Sequence, residues 1–291
     1  MVNSNAQRNA RLLRLASTAS VVTAVVLIVA KLFAWWVSGS VSMMATVIDS
    51  MLDAFASLIN MVAVYIALKP ADEDHHFGHG KAEQLAALAQ SAFIAGSAIF
   101  LILHAINDLT NDVEIANEQV AMMVMAFSIV CTLILLLIQN YVIRQTGSIA
   151  IKADEMHYRM DLITNFSVIL ALALAAAGYR EADAIFGILI AVYMLNSVRK
   201  VAWESIQMLM DRALPEEELE RIEKTILSVE GVQGVHNLRT RISGALPIIQ
   251  FHLDVQGDLS VRQAHDIGGK VKQAILAWMP DADVTFHLDP N

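Results

Sequence analysis

Four metal-ligand side chains stand in matched pairs inside two long apolar stretches of this 291-residue chain. Asp49 and Asp53 lie in VSMMATVIDSMLDAFASLINMVAVYIAL, and His157 and Asp161 lie in IAIKADEMHYRMDLITNFSVILALALA. Such stretches are long enough to cross ~30 Å of hydrocarbon at about 1.5 Å per helical residue. A spacing of four puts both members of a pair on one helical face. Ionisable groups are costly at membrane depth and usually face a bundle interior, a partner or an ion path. Two such pairs therefore point to one polar centre of three carboxylates and an imidazole. Unrelated helix-capping acids and a core histidine would account for one pair better than for two.

Composition agrees with a polytopic membrane protein: 56% of residues are apolar, 17% are charged and the mean hydropathy is +0.52. A net charge of -9, with no basic stripe carrying interleaved aromatics, sets nucleic-acid binding aside. The single cysteine, Cys131, excludes an internal disulfide and a thiolate cluster. Its place in an apolar run reads as packing. The 14 methionines are scattered through the apolar segments, which speaks against a soft-metal path and against copper(I).

Six spans are expected, at about Arg14 to Val37, Val41 to Leu68, Gln84 to Asn107, Val120 to Val142, Ile149 to Tyr179 and Asp183 to Val198. The sixth has the shortest charge-free core and could continue beyond the bilayer through Met210. No small-residue cleavage site stands out after the first, which is expected to remain in the protein. Lysine and arginine concentrate before the first span (Arg8, Arg11, Arg14), around the second connection (Lys69, Lys81), around the fourth (Arg144, Lys152) and after the last (Arg199, Lys200, Arg212). The intervening connections, SGS, DLTNDVEIANE and YREAD, are almost free of them, so both termini are expected to be cytoplasmic. This topology brings the two ligand pairs to similar depth.

A boundary falls near residue 211, giving a membrane domain over 1–211 and a tail over 212–291. Pro215 followed by Glu216, Glu217 and Glu218 marks a helix start. Leu219, Ile222, Ile226 and Val229 then form its apolar face. Ile249, Phe251, Leu253 and Val255 alternate with polar residues as a half-buried strand does, and Val284, Phe286 and Leu288 repeat the pattern. Ser260 with Gln263 forms a capping-box pattern before a second helix. With a further strand near Val235 to Ile242, the tail reads as an α+β domain with two helices on one face of a three-stranded sheet.

One imidazole with three carboxylates suits zinc, cadmium, cobalt, iron(II) or manganese better than copper(I), and magnesium and calcium are poor fits. Four N/O ligands complete the zinc tetrahedron, and the closed shell argues against hydrolysis. Ligands must lose protons to bind metal, so the site could exchange cations for protons. Two more clusters lie outside the spans. ADEDHHFGHGK offers Asp72, His75 and His79, with His76 in reserve. In the tail, His252, His287 and Asp289 share the polar side of two strands, with His236 and His265 nearby. His104 reads as structural or interfacial.

At these residues the chain resembles the cation diffusion facilitator family, and within it the bacterial zinc-exporting, YiiP-type members. The shared motifs are Asp49 and Asp53, His157 and Asp161, the FGHGKAE segment at Phe77 to Glu83 and the histidine-bearing tail. The resemblance implies a homodimeric metal/proton antiporter, not an enzyme, in a bacterial inner membrane, with an αββαβ metallochaperone-like cytoplasmic tail. It implies Zn2+ as cargo and as a bound regulatory ion, with Cd2+, Fe2+ or Co2+ as alternatives. It also implies tail ligation by His236, His252, His265, His287 and Asp289 near a dimer interface, and a loop site at Asp72, His75 and His79. Histidine first in the fifth-span pair matches zinc-selective relatives. The short connection around Arg144 to Ser148 lacks the histidine run of many eukaryotic members. Lys81 and Asp211, near the same ends of the third and sixth spans, are expected to pair. The rival readings are a metal sensor or store in which the membrane quartet is structural, and an intramembrane aspartyl protease, which lacks any supporting sequence context.

Overall fold

The computed structural model describes residues 4–38, 41–108, 118–176, 182–244 and 246–291. The SGS, DLTNDVEIANE and YREAD connections lie largely outside them. Six long helices come first: α1 (Ser4–Ser38), α2 (Val41–Ala67), α3 (Ala82–Asp108), α4 (Glu118–Thr146), α5 (Ile149–Ala176) and α6 (Ala182–Leu209). The tail follows as α7 (Glu216–Leu227), β1 (Val232–Ser243), β2 (Leu246–Val255), α8 (Val261–Leu276) and β3 (Asp283–Pro290). The chain divides into two compact units, Met1–Pro70 with Ala82–Ile206, and Ala71–Lys81 with Gln207–Asn291. The α2–α3 connection thus belongs with the tail.

In the helical unit, α1 packs on α2 and α4, α4 on α5, and α3 on both α2 and α5. Ile94 and Ala98 of α3 meet Met160 of α5 and Ile190, Ala191 and Met194 of α6 in one buried cluster. Small residues at such contacts let helices approach closely where no hydrophobic effect drives association. Large apolar side chains point outward instead, including Trp36, Phe100 and Leu137. That inversion of a soluble protein's pattern is what a lipid environment selects. Among the described residues, five helices are long and apolar enough to cross a membrane: α1, α2, α3, α4 and α6. The α6 stretch qualifies over Ile185–Leu209, well past the short core legible in the sequence. The α5 helix is of similar length but carries Lys152, Asp154, Glu155, Arg159 and Asp161 in its first half.

The tail sheet has the order β1-β2-β3. The β1 and β2 strands pair antiparallel, and β2 and β3 pair parallel, as the α8 crossover between them requires. Ile222 and Ile226 of α7 and Val271 and Ile275 of α8 bury against Ile249, Phe251, Leu253 and Val284 of the sheet. Period-two alternation consequently turns His252 and His287, which are register partners, to the opposite face. Pro215 stands at the N-cap of α7, and Ser260 with Gln263 forms the full capping box of α8.

Candidate metal centres

Asp53 of α2 and His157 and Asp161 of α5 converge. Their ligand atoms all lie within 4.8 Å of one another. His157 Nε2 is 3.1 Å from Asp53 Oδ1 and 3.6 Å from Asp161 Oδ2. Ligands on a zinc tetrahedron with bonds of about 2.0–2.1 Å stand about 3.3 Å apart, so the spacing suits such an ion. His157 is nearly buried, whereas the two carboxylates are partly open. Asp49, one turn earlier on α2, is exposed and does not join this group. The sequence placed four ligands together, and the structure brings together three.

The centre is backed by polar groups that spacing alone did not reveal. Asp154, one turn before His157, is fully buried and accepts hydrogen bonds from Ser20 Oγ of α1 at 2.5 Å, Gln139 Nε2 of α4 at 2.7 Å and Ser57 Oγ of α2 at 3.4 Å. The Tyr158 hydroxyl donates to the Ser20 carbonyl at 3.2 Å and meets Ser57 Oγ at 2.9 Å. Four helices are thereby tied together beside the metal ligands. A buried carboxylate is tolerated because its lone pairs are satisfied. On the neighbouring turns, Arg159 pairs with Glu155, which also accepts from Asn140 of α4. Lys31 of α1 donates to Ser50 Oγ at 2.6 Å and to the Thr46 carbonyl at 3.3 Å, both on α2. The signal for Lys31 was available as a lone lysine in an otherwise apolar span.

The second centre is in the α2–α3 connection. Asp72 Oδ1 accepts the backbone N–H groups of His75 at 2.7 Å and Asp74 at 3.1 Å, which closes the loop on itself. His75 Nδ1 stands 3.4 Å from Asp72 Oδ1, and His79 Nε2 stands 3.2 Å from Asp72 Oδ2. The backbone N–H bond from His75, helped by the His79 ring and Asp74, holds the Asp72 carboxyl below its ordinary range. The carboxylate is therefore ready to coordinate. His76 is not in the group.

In the tail, His236, His252 and Asp289 form a third group within the same reach. His252 Nδ1 is 2.7 Å from Asp289 Oδ2, His236 Nε2 is 3.3 Å from the same oxygen, and His287 Nδ1 is 3.0 Å from Asp289 Oδ1. Hydrogen bonding to His252, followed by the charges of His287 and His252, lowers the Asp289 pKa. The β1 register shifts after His236, and Asn237 takes a left-handed φ of 52°. This bulge aims His236 at its partners, a common use of bulges beside functional sites. Asp254, which sequence reasoning passed over as a strand residue, pairs with His236 Nδ1 at 3.2 Å. Gly234 leaves room for it, because a Cβ there would fall 2.5 Å from Asp254 Oδ2. His265 does not join this group within one chain. It sits on α8, on the helix-covered side of the sheet, with its ring 6.1 Å from Phe286. His104 is exposed on α3 and stacks on Phe100.

Lys81 Nζ lies 2.8 Å from Asp211 Oδ1 and 3.3 Å from the Leu209 carbonyl. Arg241 Nη1 adds a contact of 3.2 Å to Asp211 Oδ2 and stacks on the Phe77 ring. The Lys81 hydrogen bond and charge, followed by Arg241, hold Asp211 below the usual carboxylate range.

The chain also matches known proteins over nearly its whole length. Residues 17–210 match the cation efflux transmembrane domain, and residues 214–291 match the cytoplasmic domain of cation efflux proteins. The cation-efflux pump FieF of Citrobacter koseri is 45% identical over 98% of this chain and 95% of its own. That of Escherichia coli is 44% identical over the same shares. A solved structure described as the zinc form of a zinc transporter, CzrB, is 35% identical, covers 28% of this chain and 93% of its own, and has a TM-score of 0.27. The matched relatives are transporters and not enzymes, and the chain belongs to the cation diffusion facilitator family, YiiP type, as a multi-pass cation-efflux transporter.

Proposed function

We propose that the protein exports Zn2+ from the cytoplasm in exchange for protons, using Asp49, Asp53, His157 and Asp161 as one alternating site. The observation that carries this reading is the meeting of Asp53, His157 and Asp161 across α2 and α5, within a bundle whose outer surface is apolar. In this account α5 is a sixth span, its charged half shielded by partners on α1, α2 and α4. Metal binding displaces protons from the same atoms that later reclaim them. Asp49, one turn from Asp53 on α2, completes the tetrahedron when the cation enters. Zinc is favoured over Cd2+, Fe2+ and Co2+ by a four-ligand N/O set, although all four metals accept these donors.

The same reading assigns the surrounding parts. The membrane domain covers 1–211 and the cytoplasmic domain 212–291. Both termini are cytoplasmic and the membrane is a bacterial inner membrane, in keeping with the bacterial FieF relatives. The working form is a homodimer, which the match of the tail to the cytoplasmic domain of cation efflux proteins supports. Zinc held by Asp72, His75 and His79, and by His236, His252, His287 and Asp289 with His265 from a second copy, regulates rather than conducts. It does so by favouring one arrangement of the dimer over another, as differential affinity allows.

Zinc uptake into proteoliposomes tests the transport site. Asp53→Ala and His157→Ala are expected to reduce the rate at least about 100-fold, beyond the usual cost of losing an outer-shell partner. Undiminished uptake by either variant would overturn the assignment, and a preserved zinc response without flux would favour a sensor.

A further inference from the structure

Lys31 has no part in the ligand set, yet it is an ammonium in a stretch, Gln7–Val37, of mean hydropathy 2.1. A charge there is expensive and calls for a reason. Its two hydrogen bonds go to Ser50 Oγ and the Thr46 carbonyl of α2. Ser50 is the immediate neighbour of Asp49. Ser50 also stands one helical turn before Asp53, so the ammonium is held against the stretch of α2 that carries both aspartates. A neutral amide could tie α1 to α2 through the same two acceptors without the cost of a charge. The positive charge itself therefore needs an explanation.

We propose that Lys31 is the resident counter-cation of the transport site, a fixed charge that sets cargo affinity low enough for release. The inference rests on the reading that Asp49, Asp53, His157 and Asp161 carry the cargo. Three carboxylates beside one imidazole hold a divalent cation strongly in a low-dielectric setting, and a site that holds too strongly does not turn over. Lys31 offsets part of that negative charge when the site lacks metal and repels the ion when it is bound. Thr46 and Ser50 precede Asp53 on α2, so the repulsion acts from the end of the site nearer the α1–α2 connection. Because the charge is tethered, it cannot leave with the cargo.

The test is zinc binding and transport by the full chain in nanodiscs and proteoliposomes, with Asp53→Ala as reference. Binding lost in Asp53→Ala defines the transport site apart from the loop and tail. Lys31→Met and Lys31→Gln are both expected to tighten that binding about ten-fold or more, the order expected on removing a nearby like charge. Both should also lower KM and maximal rate together, while Lys31→Arg behaves as the native protein. Lys31→Gln separates charge from helix tying, because glutamine still donates to Ser50 and should preserve the fold if methionine does not. Native-like binding and kinetics in Lys31→Gln, or weaker binding in a folded Lys31→Met, would overturn the proposal. If native protein and Asp53→Ala bind and transport alike, the transport-site reading fails and takes this inference with it. A failure confined to the Lys31 variants leaves that reading standing.

Discussion

Asp49 and Asp53 are the same residue type on one helical face, yet only Asp53 lies in contact with His157. Their substitutions should therefore differ. Asp49→Ala, which removes the ligand that joins only when the cation enters, is expected to lower zinc affinity, and Asp53→Ala, which removes a carboxylate already in contact with His157, to lower it further. Isothermal titration of the two variants against the native protein checks the order, and equal losses would restore a symmetric quartet. Asp154 matters through its neighbours. Asp154→Ala leaves the Ser20, Ser57 and Gln139 donors without their shared acceptor, with an expected cost of about 1–3 kcal/mol for each donor that finds no new partner. Asp154→Asn keeps an acceptor oxygen and should lose less. Thermal unfolding in detergent would show the ranking, and a native-like midpoint for Asp154→Ala would refute it. Spacing made the ligand pairs legible, but an isolated acid such as Asp154 has no pattern until four helices surround it.

The end of α6 shows how an element boundary becomes an attachment point. Asp211 has a left-handed φ of 59°, Arg212 N–H bonds the Gln207 carbonyl at 3.0 Å, and Asp211 N–H bonds Met208 at 3.2 Å. This is a Schellman ending, with aspartate where glycine is commonest. The side chain compensates by joining Lys81 and Arg241. Because Asp211 titrates below its ordinary range, this tie is at full strength above the carboxylate range and is lost as pH falls through the lowered value. The pairs are half exposed, so they are worth no more than about 1 kcal/mol. The stability gap between native protein and Asp211→Asn should accordingly close below about pH 4. A gap independent of pH would assign the effect to backbone conformation instead.

The loop before α3 reaches its neighbours through glycine. A Cβ on Gly80 would stand 2.7 Å from the Ser243 carbonyl and the Gly244 nitrogen of the β1–β2 turn. Gly80→Ala is expected to cost about 1–3 kcal/mol by overpacking, and to expose the 71–81 segment to proteolysis. Unchanged cleavage would count against the packing. Here the sequence was partly legible. FGHGKAE stood out as a motif and Lys81 was matched with Asp211, but nothing local says that Gly80 lies on Gly244, because that contact joins residues far apart in the chain. Strand alternation likewise put His252, His287 and Asp289 on one face. The side on which His265 falls depends on how α8 packs, which alternation in β2 and β3 does not specify.

Across the whole molecule, the described part of the helical unit turns large apolar side chains outward and holds Asp154 in a buried network, while two of the three ligand clusters lie in the loop and the tail. The tail centre has enough donors to bind zinc, so zinc at 100 times its dissociation constant should stabilise the folded tail by about 2.7 kcal/mol. Asp289→Ala, which removes the carboxylate shared by His236, His252 and His287, should abolish most of the zinc-induced shift in Tm. A shift of native size would remove the tail site. Six long helices and an αββαβ tail were legible because their periods and caps are local signals. The continuation of α6 toward Met210 was legible too, although Arg199 and Lys200 interrupt its apolar window. The central claim is cation-for-proton exchange at one centre. Its most direct test is to record internal zinc and internal pH together in proteoliposomes under an imposed proton gradient, for the native protein and Asp53→Ala. The account predicts opposite, coupled fluxes in the native protein and neither in the variant. Zinc movement without proton movement would contradict it.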